Sequence, residues 1–178
     1  HANTDAAMYW VNAEPLLRYL GAEPSSPRFH ATHFKHERLQ AELQKIASEP
    51  GAEKRKRSGI LLGNAATQQS LTVTHVLWSL LHVLPQKSLP KPHRHNSVAL
   101  DFCVSALPGT YTMIGKELNA DGTIKDPRRA DWKPGAAFVT PPGWWHSHHN
   151  ESDQDAVVLP VQDAGLYTFL RTLDIQFA

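Results

Sequence analysis

Three histidines in two segments of the chain have the spacing of metal ligands. His93 and His95 are separated by one residue, so on a β-strand both side chains project from the same face. His146 comes later, directly after a turn rich in proline and glycine within residues 135–150. Neutral imidazole is a ligand for Fe(II), Ni, Cu and Zn, and a third one can complete one face of a coordination sphere. The pattern predicts a metal-binding β-barrel; three histidines satisfied in a barrel interior without metal are the alternative.

Two further side chains are candidates for chemistry beside that metal. His148 follows His146 by two residues and shares its face of a regular strand; a histidine at the surface or barrel mouth is the alternative. Asp101 lies in a predicted strand whose one face holds Ala99, Asp101 and Cys103. Asp101 could hydrogen-bond a substrate hydroxyl, act as a base, become an extra ligand or simply cap a loop. We also expect one of the two tryptophans before His146 to line the cavity.

The elements that must position these residues begin at Ser58, where the pattern changes to short β segments separated by turns. The absence of a long helical pattern among them favours a small barrel or jelly roll over a parallel sheet. A hairpin turn is expected at Asn119–Gly122, because Asp-Gly readily supplies positive φ angles. The predicted strands are Gly59–Leu62, Leu71–Leu84, Val98–Ser105, Thr110–Glu117, Ala136–Thr140, Trp144–His148, Ala156–Val161 and Leu166–Leu173.

Residues 1–57 have a helical and polar pattern and form a predicted N-terminal arm. Glu14–Leu20 begins with a proline near the start of a helical turn, where its missing N–H costs nothing. Leu39, Leu43 and Ile46 form one apolar stripe of a second helix. We therefore expect a helical or irregular arm over residues 1–57 and an all-β barrel domain over residues 58–178. The predicted strand 71–84 is more apolar than one buried face requires, which favours a homodimer.

Composition limits the partners and the compartment. The formal net charge of +1 gives no reason to expect nucleic acid or an anionic membrane surface as a partner. No apolar run approaches the ~20 residues of a membrane span. The cluster Lys54–Arg57 is interpreted as a solvated loop, with a localisation or nucleic-acid patch as the alternative. A single cysteine, Cys103, fits a reducing compartment, so we expect a cytoplasmic protein.

Both histidine segments resemble the two motifs of the cupin superfamily. From Gly135 to Asn150 the chain has Gly, five residues, Pro, one residue, Gly, two residues, His, three residues and Asn, which matches the second cupin motif at every defined position. His93-Arg94-His95 matches the histidine pair of the first motif. Two features of the first motif are missing: Lys87 replaces its glycine, and Ala99 or Leu100 stands where its glutamate would be.

Within the cupins, three segments are similar to the gentisate 1,2-dioxygenase group, whose iron site has three histidines. These segments are His93–Phe102, Trp144–His148 and Leu173–Ile175. The resemblance implies one cupin unit with a jelly-roll barrel and a single divalent metal held by His93, His95 and His146. It also implies Fe(II) as that metal, with Ni, Zn, Mn or Cu as alternatives, and dioxygen as a co-substrate with a small oxygenated organic molecule.

The same resemblance suggests roles for His148 and Asp101. In the related group the histidine at position 148 lines the active site and can exchange a proton with bound substrate or oxygen. An arginine at position 101 helps to hold the substrate carboxylate there, whereas this chain has an aspartate. We therefore expect little gentisate cleavage. The alternative functions are a non-redox metal cupin, such as an isomerase, lyase or decarboxylase, and a metal-binding protein without catalytic activity.

Overall fold

Two antiparallel five-stranded sheets pack face to face and form the body of the molecule. The structure is a computed structural model and describes residues 4–28, 30–52 and 58–178. The first sheet has the strand order β1-β2-β9-β4-β7, and the second has the order β10-β3-β8-β5-β6. The strands are β1 (Ser58–Leu61), β2 (Trp78–Leu84), β3 (His93–His95), β4 (Ala99–Ser105), β5 (Thr110–Gly115), β6 (Arg128–Asp131), β7 (Ala137–Thr140), β8 (Trp145–Asn150), β9 (Ala156–Gln162) and β10 (Ile175–Phe177). The prediction of an all-β jelly roll is confirmed.

Regular alternation along β4 decides which side chains enter the space between the sheets. Ala99, Asp101 and Cys103 are buried, whereas Leu100 and Phe102 are only partly buried on the other face. This is the period-two pattern of a strand with one face on the core. Of these inward side chains, Cys103 belongs to a buried hydrophobic cluster that also contains Leu84, Trp132, Ala156 and Val158.

Two helices precede the sheets, as expected. They are α1 (Glu14–Tyr19), with proline in its first turn, and α2 (His36–Ala47). Leu39, Leu43 and Ile46 are the half-buried residues along α2, which lies against β1 and confirms the apolar stripe. Within the described part of the chain, no helix has both the length and the apolar character of a membrane span. The basic cluster Lys54–Arg57 lies outside the described residues, and the division at residue 57 stays a prediction.

Two of the predicted strands are wrong in part or in whole. Most of Leu166–Leu173 belongs to a third helix, α3 (Ala164–Leu170), because a short apolar run does not distinguish a buried strand from a helix. Of Leu71–Leu84, only the last seven residues form a strand. Residues 71–77 make turns, in which Leu71 adopts a φ of 54° and the Thr74 hydroxyl accepts the backbone N–H of Leu77. Two short edge strands, β6 and β10, were not predicted.

Candidate metal centre

The register of the second sheet brings the three predicted ligands together. His93 on β3 pairs directly opposite His146 on β8, so their side chains project from the same face, with ring centroids 4.1 Å apart. His95 lies two residues along β3, and its ring centroid is 4.8 Å from that of His146. One nitrogen from each of the three histidines lies within 4.8 Å of the other two. His95 and His146 are almost fully buried.

The turn before β8 delivers His146 to this position. Gly143 has a φ of 74°, a conformation that glycine adopts without the steric penalty of a Cβ. Its N–H donates to the carbonyl oxygen of His95 over 2.7 Å, which ties the turn directly to β3. Trp144 N–H donates to the carbonyl of Pro141 and closes the turn. The proline and glycine that precede His146 therefore serve to place this histidine beside the other two.

Hydrogen bonds fix the tautomer of two of the three histidines. His95 Nδ1 lies 2.9 Å from the carbonyl oxygen of Ser97, and His146 Nδ1 lies 3.1 Å from that of Trp144. A carbonyl oxygen can only accept, so in each ring Nδ1 carries the proton and Nε2 carries the lone pair. Burial lowers the pKa of His95, which favours the neutral imidazole that a metal ligand must be. The residues therefore fit a divalent transition metal, and metal binding stays a prediction.

A cavity of about 290 Å³ contains this group of histidines. His93, His95 and His146 come from the second sheet, and the residues that face them come from the first sheet. Among the described residues that line the cavity, none is a lysine or an arginine. The other residues in its lining are Ser58, Gly59, Trp78, Leu80, His82, Ala99, Asp101, His148, Pro160 and Gln162.

His148 lies in the cavity wall, as the strand parity predicted. Its ring centroid is 5.6 Å from that of His146, and it makes edge contacts with Trp132 and Phe138. Its Nδ1 lies 2.8 Å from the hydroxyl oxygen of Thr112, and His148 does not belong to the group of three. A proton-exchanging role for His148 stays a prediction.

Asp101 lies in the opposite part of the cavity wall and is 2% exposed. The Thr140 hydroxyl donates to its Oδ2 over 3.1 Å. Burial raises the pKa of Asp101 to about 7, and the Thr140 hydrogen bond offsets only part of this effect. The cause is that a buried carboxylate loses its hydration, which favours the protonated form. The catalytic role of Asp101 stays a prediction.

Sequence reasoning missed three residues of the cavity wall, all of them on β2. His82 lines the cavity, with its ring centroid 6.0 Å from that of His148. Trp78, Leu80 and His82 are alternate residues of β2, and all three line the cavity. The sequence does not reveal this alternation, because both faces of β2 carry apolar residues. The expectation for Trp144 and Trp145 is wrong, since the cavity tryptophan is Trp78. The Lys116 ammonium and the Arg94 guanidinium lie over the rings of Trp144 and Trp145 respectively.

Sequence comparisons identify distantly related dioxygenases. No model of a known protein family matches the chain. The chain is 22% identical over 157 residues to 1-hydroxy-2-naphthoate 1,2-dioxygenase of Nocardioides sp. (strain KP7), covering 88% of the chain and 38% of that protein. It is 26% identical over 121 residues to gentisate 1,2 dioxygenase 1 of Aquipseudomonas alcaligenes, covering 68% of the chain and 31% of that protein. The chain thus spans about a third of the length of these curated relatives.

Solved structures show the same architecture. Salicylate 1,2-dioxygenase from Pseudaminobacter salicylatoxidans superposes with a TM-score of 0.66 at 20% identity, over 93% of this chain and 47% of that one. The structure of its adducts with gentisate gives a TM-score of 0.65 at 19% identity, over 97% and 49% of the two chains. These similarities, together with the antiparallel sheets and the two histidine segments, identify the fold. The chain is a single unit of the cupin fold that resembles the gentisate 1,2-dioxygenase group.

Proposed function

We propose that this protein is a metal-dependent oxidoreductase that holds one Fe(II) ion with His93, His95 and His146 and acts with dioxygen on a small organic molecule. The observation that carries the proposal is the group of three histidine nitrogens within 4.8 Å of one another on the cavity wall. The similar proteins are named as dioxygenases, which supports an oxidoreductase function. Because the chain spans only part of those proteins, both the activity and the substrate belong to the proposal.

Three neutral ligands leave the full +2 charge of the ion in the cavity. When bound, Fe(II) would supply the redox chemistry and attract oxygen atoms of the substrate, since the ion is the largest local charge. The chain itself would hold the ion through Nε2 of His95 and His146, whose Nδ1 protons are fixed by backbone carbonyls. Burial of these ligands limits the access of bulk water to them.

The polar groups opposite the histidines set the class of substrate. Gentisate and salicylate, which the related proteins are named for, carry a carboxylate beside a hydroxyl group. In this cavity no lysine or arginine among the described lining residues could pair with a carboxylate, and Asp101 would repel it when ionised. We therefore infer a hydroxylated substrate, such as an aromatic diol, that presents a hydroxyl or cationic group toward Asp101.

Oxygen uptake by the iron-loaded protein tests the proposal. The protein is reconstituted anaerobically with Fe(II) and screened in an oxygen electrode with catechols, hydroxybenzoates and β-diketones. We expect uptake with a substrate that lacks a carboxylate, loss of uptake in His95→Ala, and unchanged uptake in His75→Ala, which removes an exposed histidine outside the cavity lining. Absence of uptake with every compound, or equal uptake in His95→Ala, would contradict the proposal.

A homodimer and a cytoplasmic location complete the proposal. Apolar side chains on the first sheet support the dimer: Val104 on β4 and Val139 on β7 are 44% and 51% exposed. Phe102, on the same face of β4, is covered by the ring of Tyr9 from the arm at a centroid distance of 4.8 Å. The single, buried cysteine supports a reducing compartment. Sedimentation at micromolar concentration tests the dimer, and a monomer would refute it without affecting the metal site.

A further inference from the structure

A buried threonine connects His148 to a tryptophan behind the cavity wall. Thr112 pairs directly opposite His148 in the register of β5 and β8, so both side chains project from the same face of the second sheet. The hydroxyl oxygen of Thr112 lies 2.8 Å from His148 Nδ1. The indole Nε1 of Trp132 lies 2.8 Å from the same oxygen. Thr112 is fully buried and Trp132 is 4% exposed, so water does not compete for these contacts.

The donors and acceptors in this chain of contacts leave one consistent arrangement. An indole N–H can only donate, so Trp132 occupies one lone pair of the Thr112 oxygen and orients the hydroxyl group. Among the described residues, Thr112 Oγ1 has two hydrogen-bond partners, Trp132 Nε1 and His148 Nδ1. The threonine proton therefore has one acceptor, which is His148 Nδ1. A proton on Nδ1 would leave the buried hydroxyl proton without an acceptor, an arrangement that folded proteins avoid.

We propose that Thr112, oriented by Trp132, is a positioning residue that fixes His148 in the tautomer with its proton on Nε2. This tautomer is the opposite of that in His95 and His146, where backbone carbonyls fix the proton on Nδ1. Two neighbouring histidines on β8 thus have different functions, although they lie on the same strand face. Nε2 of His146 offers a lone pair to a metal, whereas Nε2 of His148 offers a hydrogen.

The consequence for the cavity is a fixed hydrogen-bond donor beside the metal ligands. Nδ1 of His148 accepts from Thr112, so the ring proton is on Nε2, and the ring lines the cavity. Neutral His148 in this tautomer is not a fourth metal ligand, and it donates to an oxygen atom of the substrate. This part of the inference rests on the proposed function, whereas the tautomer itself does not.

Nitrogen NMR of the histidine rings tests the tautomer directly. Protein labelled with ¹⁵N-histidine is studied without metal and with Zn(II), and the His148 signals are identified by their loss in His148→Gln. In the wild type we expect Nδ1 of His148 to have the chemical shift of an unprotonated nitrogen and Nε2 that of a protonated one. The reverse pattern in the wild type would overturn the proposal, whether or not the variants at position 112 fold.

Substitutions at position 112 separate positioning from simple packing. Thr112→Val keeps the shape but removes the hydroxyl, so the two ¹⁵N shifts of His148 should move toward each other as both tautomers become populated. Thr112→Ser should restore the wild-type pattern. Thr110→Val is the matched control, because Thr110 is an equally buried hydroxyl on β5 whose partner is Asn150. An unchanged His148 pattern in folded Thr112→Val would overturn the proposal. Oxygen uptake is measured separately, so failure of the proposed activity would leave a confirmed tautomer intact.

Discussion

The two walls of the cavity differ in the hydrogen bonds that fix their side chains and in how far their residues follow the cupin motifs. The metal-side wall, made of His93, His95 and His146 on β3 and β8, follows both cupin motifs at its histidines, and backbone carbonyls fix two of its rings. The opposite wall, made of Trp78, His82 and Asp101 on β2 and β4, holds a buried carboxyl group at a position where the sequence resemblance implies an arginine. We therefore infer that the metal-side wall serves metal binding and that the opposite wall sets substrate selectivity, and both roles stay predictions.

The largest expected effect is on folding stability, and it comes from the charge of Asp101 in the opposite wall. The pKa of Asp101 is about 7 in the folded protein and near 3.8 when unfolded, so the folded state holds a proton more tightly. The stability contributed by this proton is complete below the unfolded pKa and is lost as pH rises through about 7. Asp101→Asn should therefore be more stable than the wild type above pH 7, by up to about 4 kcal/mol, with the difference vanishing near pH 4.

Urea unfolding of the metal-free proteins between pH 4 and 8 measures this difference. Asparagine preserves the size of the side chain and can still accept the Thr140 hydroxyl. A constant stability difference across this range would show that Asp101 does not titrate in the folded protein as its burial requires.

A second prediction concerns the selectivity of the opposite wall. Asp101→Arg should strengthen gentisate binding to the metal-loaded protein by at least about tenfold, because it replaces repulsion of the carboxylate with attraction inside a low-dielectric cavity. Calorimetric titration of the wild type and the variant measures the change, and Asp101→Asn gives the effect of removing the repulsion alone. Efficient gentisate turnover by the wild type would contradict the role assigned to this wall.

The smallest effect is expected in the turn that serves the metal-side wall. Gly143→Ala should cost about 1 kcal/mol of folding stability, because alanine at a φ of 74° is strained although the space beside Gly143 is open. Gly135→Ala is the matched control, with a φ of 81° and similarly open surroundings. Thermal unfolding should show similar losses in both variants. Only Gly143→Ala should also weaken metal binding, because the Gly143 N–H donates to the carbonyl oxygen of His95. Equal metal affinities in the two variants would show that the turn does not position the ligands.

The histidine positions and the inward side of Asp101 could be predicted from sequence because local rules determine them. β4 is regular from Ala99 to Cys103, and its register shift lies after Cys103, so alternation correctly grouped Asp101 with Ala99 and Cys103 on one face. The family resemblance implied that this face is the inward one. The spacing of His93 and His95, and the turn before His146, likewise depend on neighbouring residues alone.

Other features depend on contacts between distant parts of the chain, which no local pattern contains. The apolar run after Asp163 forms α3, where Gly165 packs so closely on the Val76 backbone that a Cβ would lie 2.6 Å from its carbonyl oxygen. His82 joins the cavity only because β2 faces the histidine strands across the barrel. The Thr112 hydroxyl meets His148 through the pairing of β5 with β8, which spacing alone does not predict.

The metal-to-protein ratio tests the central claim most directly. The wild type, His95→Ala and the control His75→Ala are loaded anaerobically with Fe(II), freed of excess metal and measured by elemental analysis. We predict one iron per chain in the wild type and in His75→Ala, and loss of stoichiometric binding in His95→Ala, because two imidazoles alone make a weak site. An unchanged ratio in His95→Ala would contradict the account, since the iron would then be held somewhere other than His93, His95 and His146.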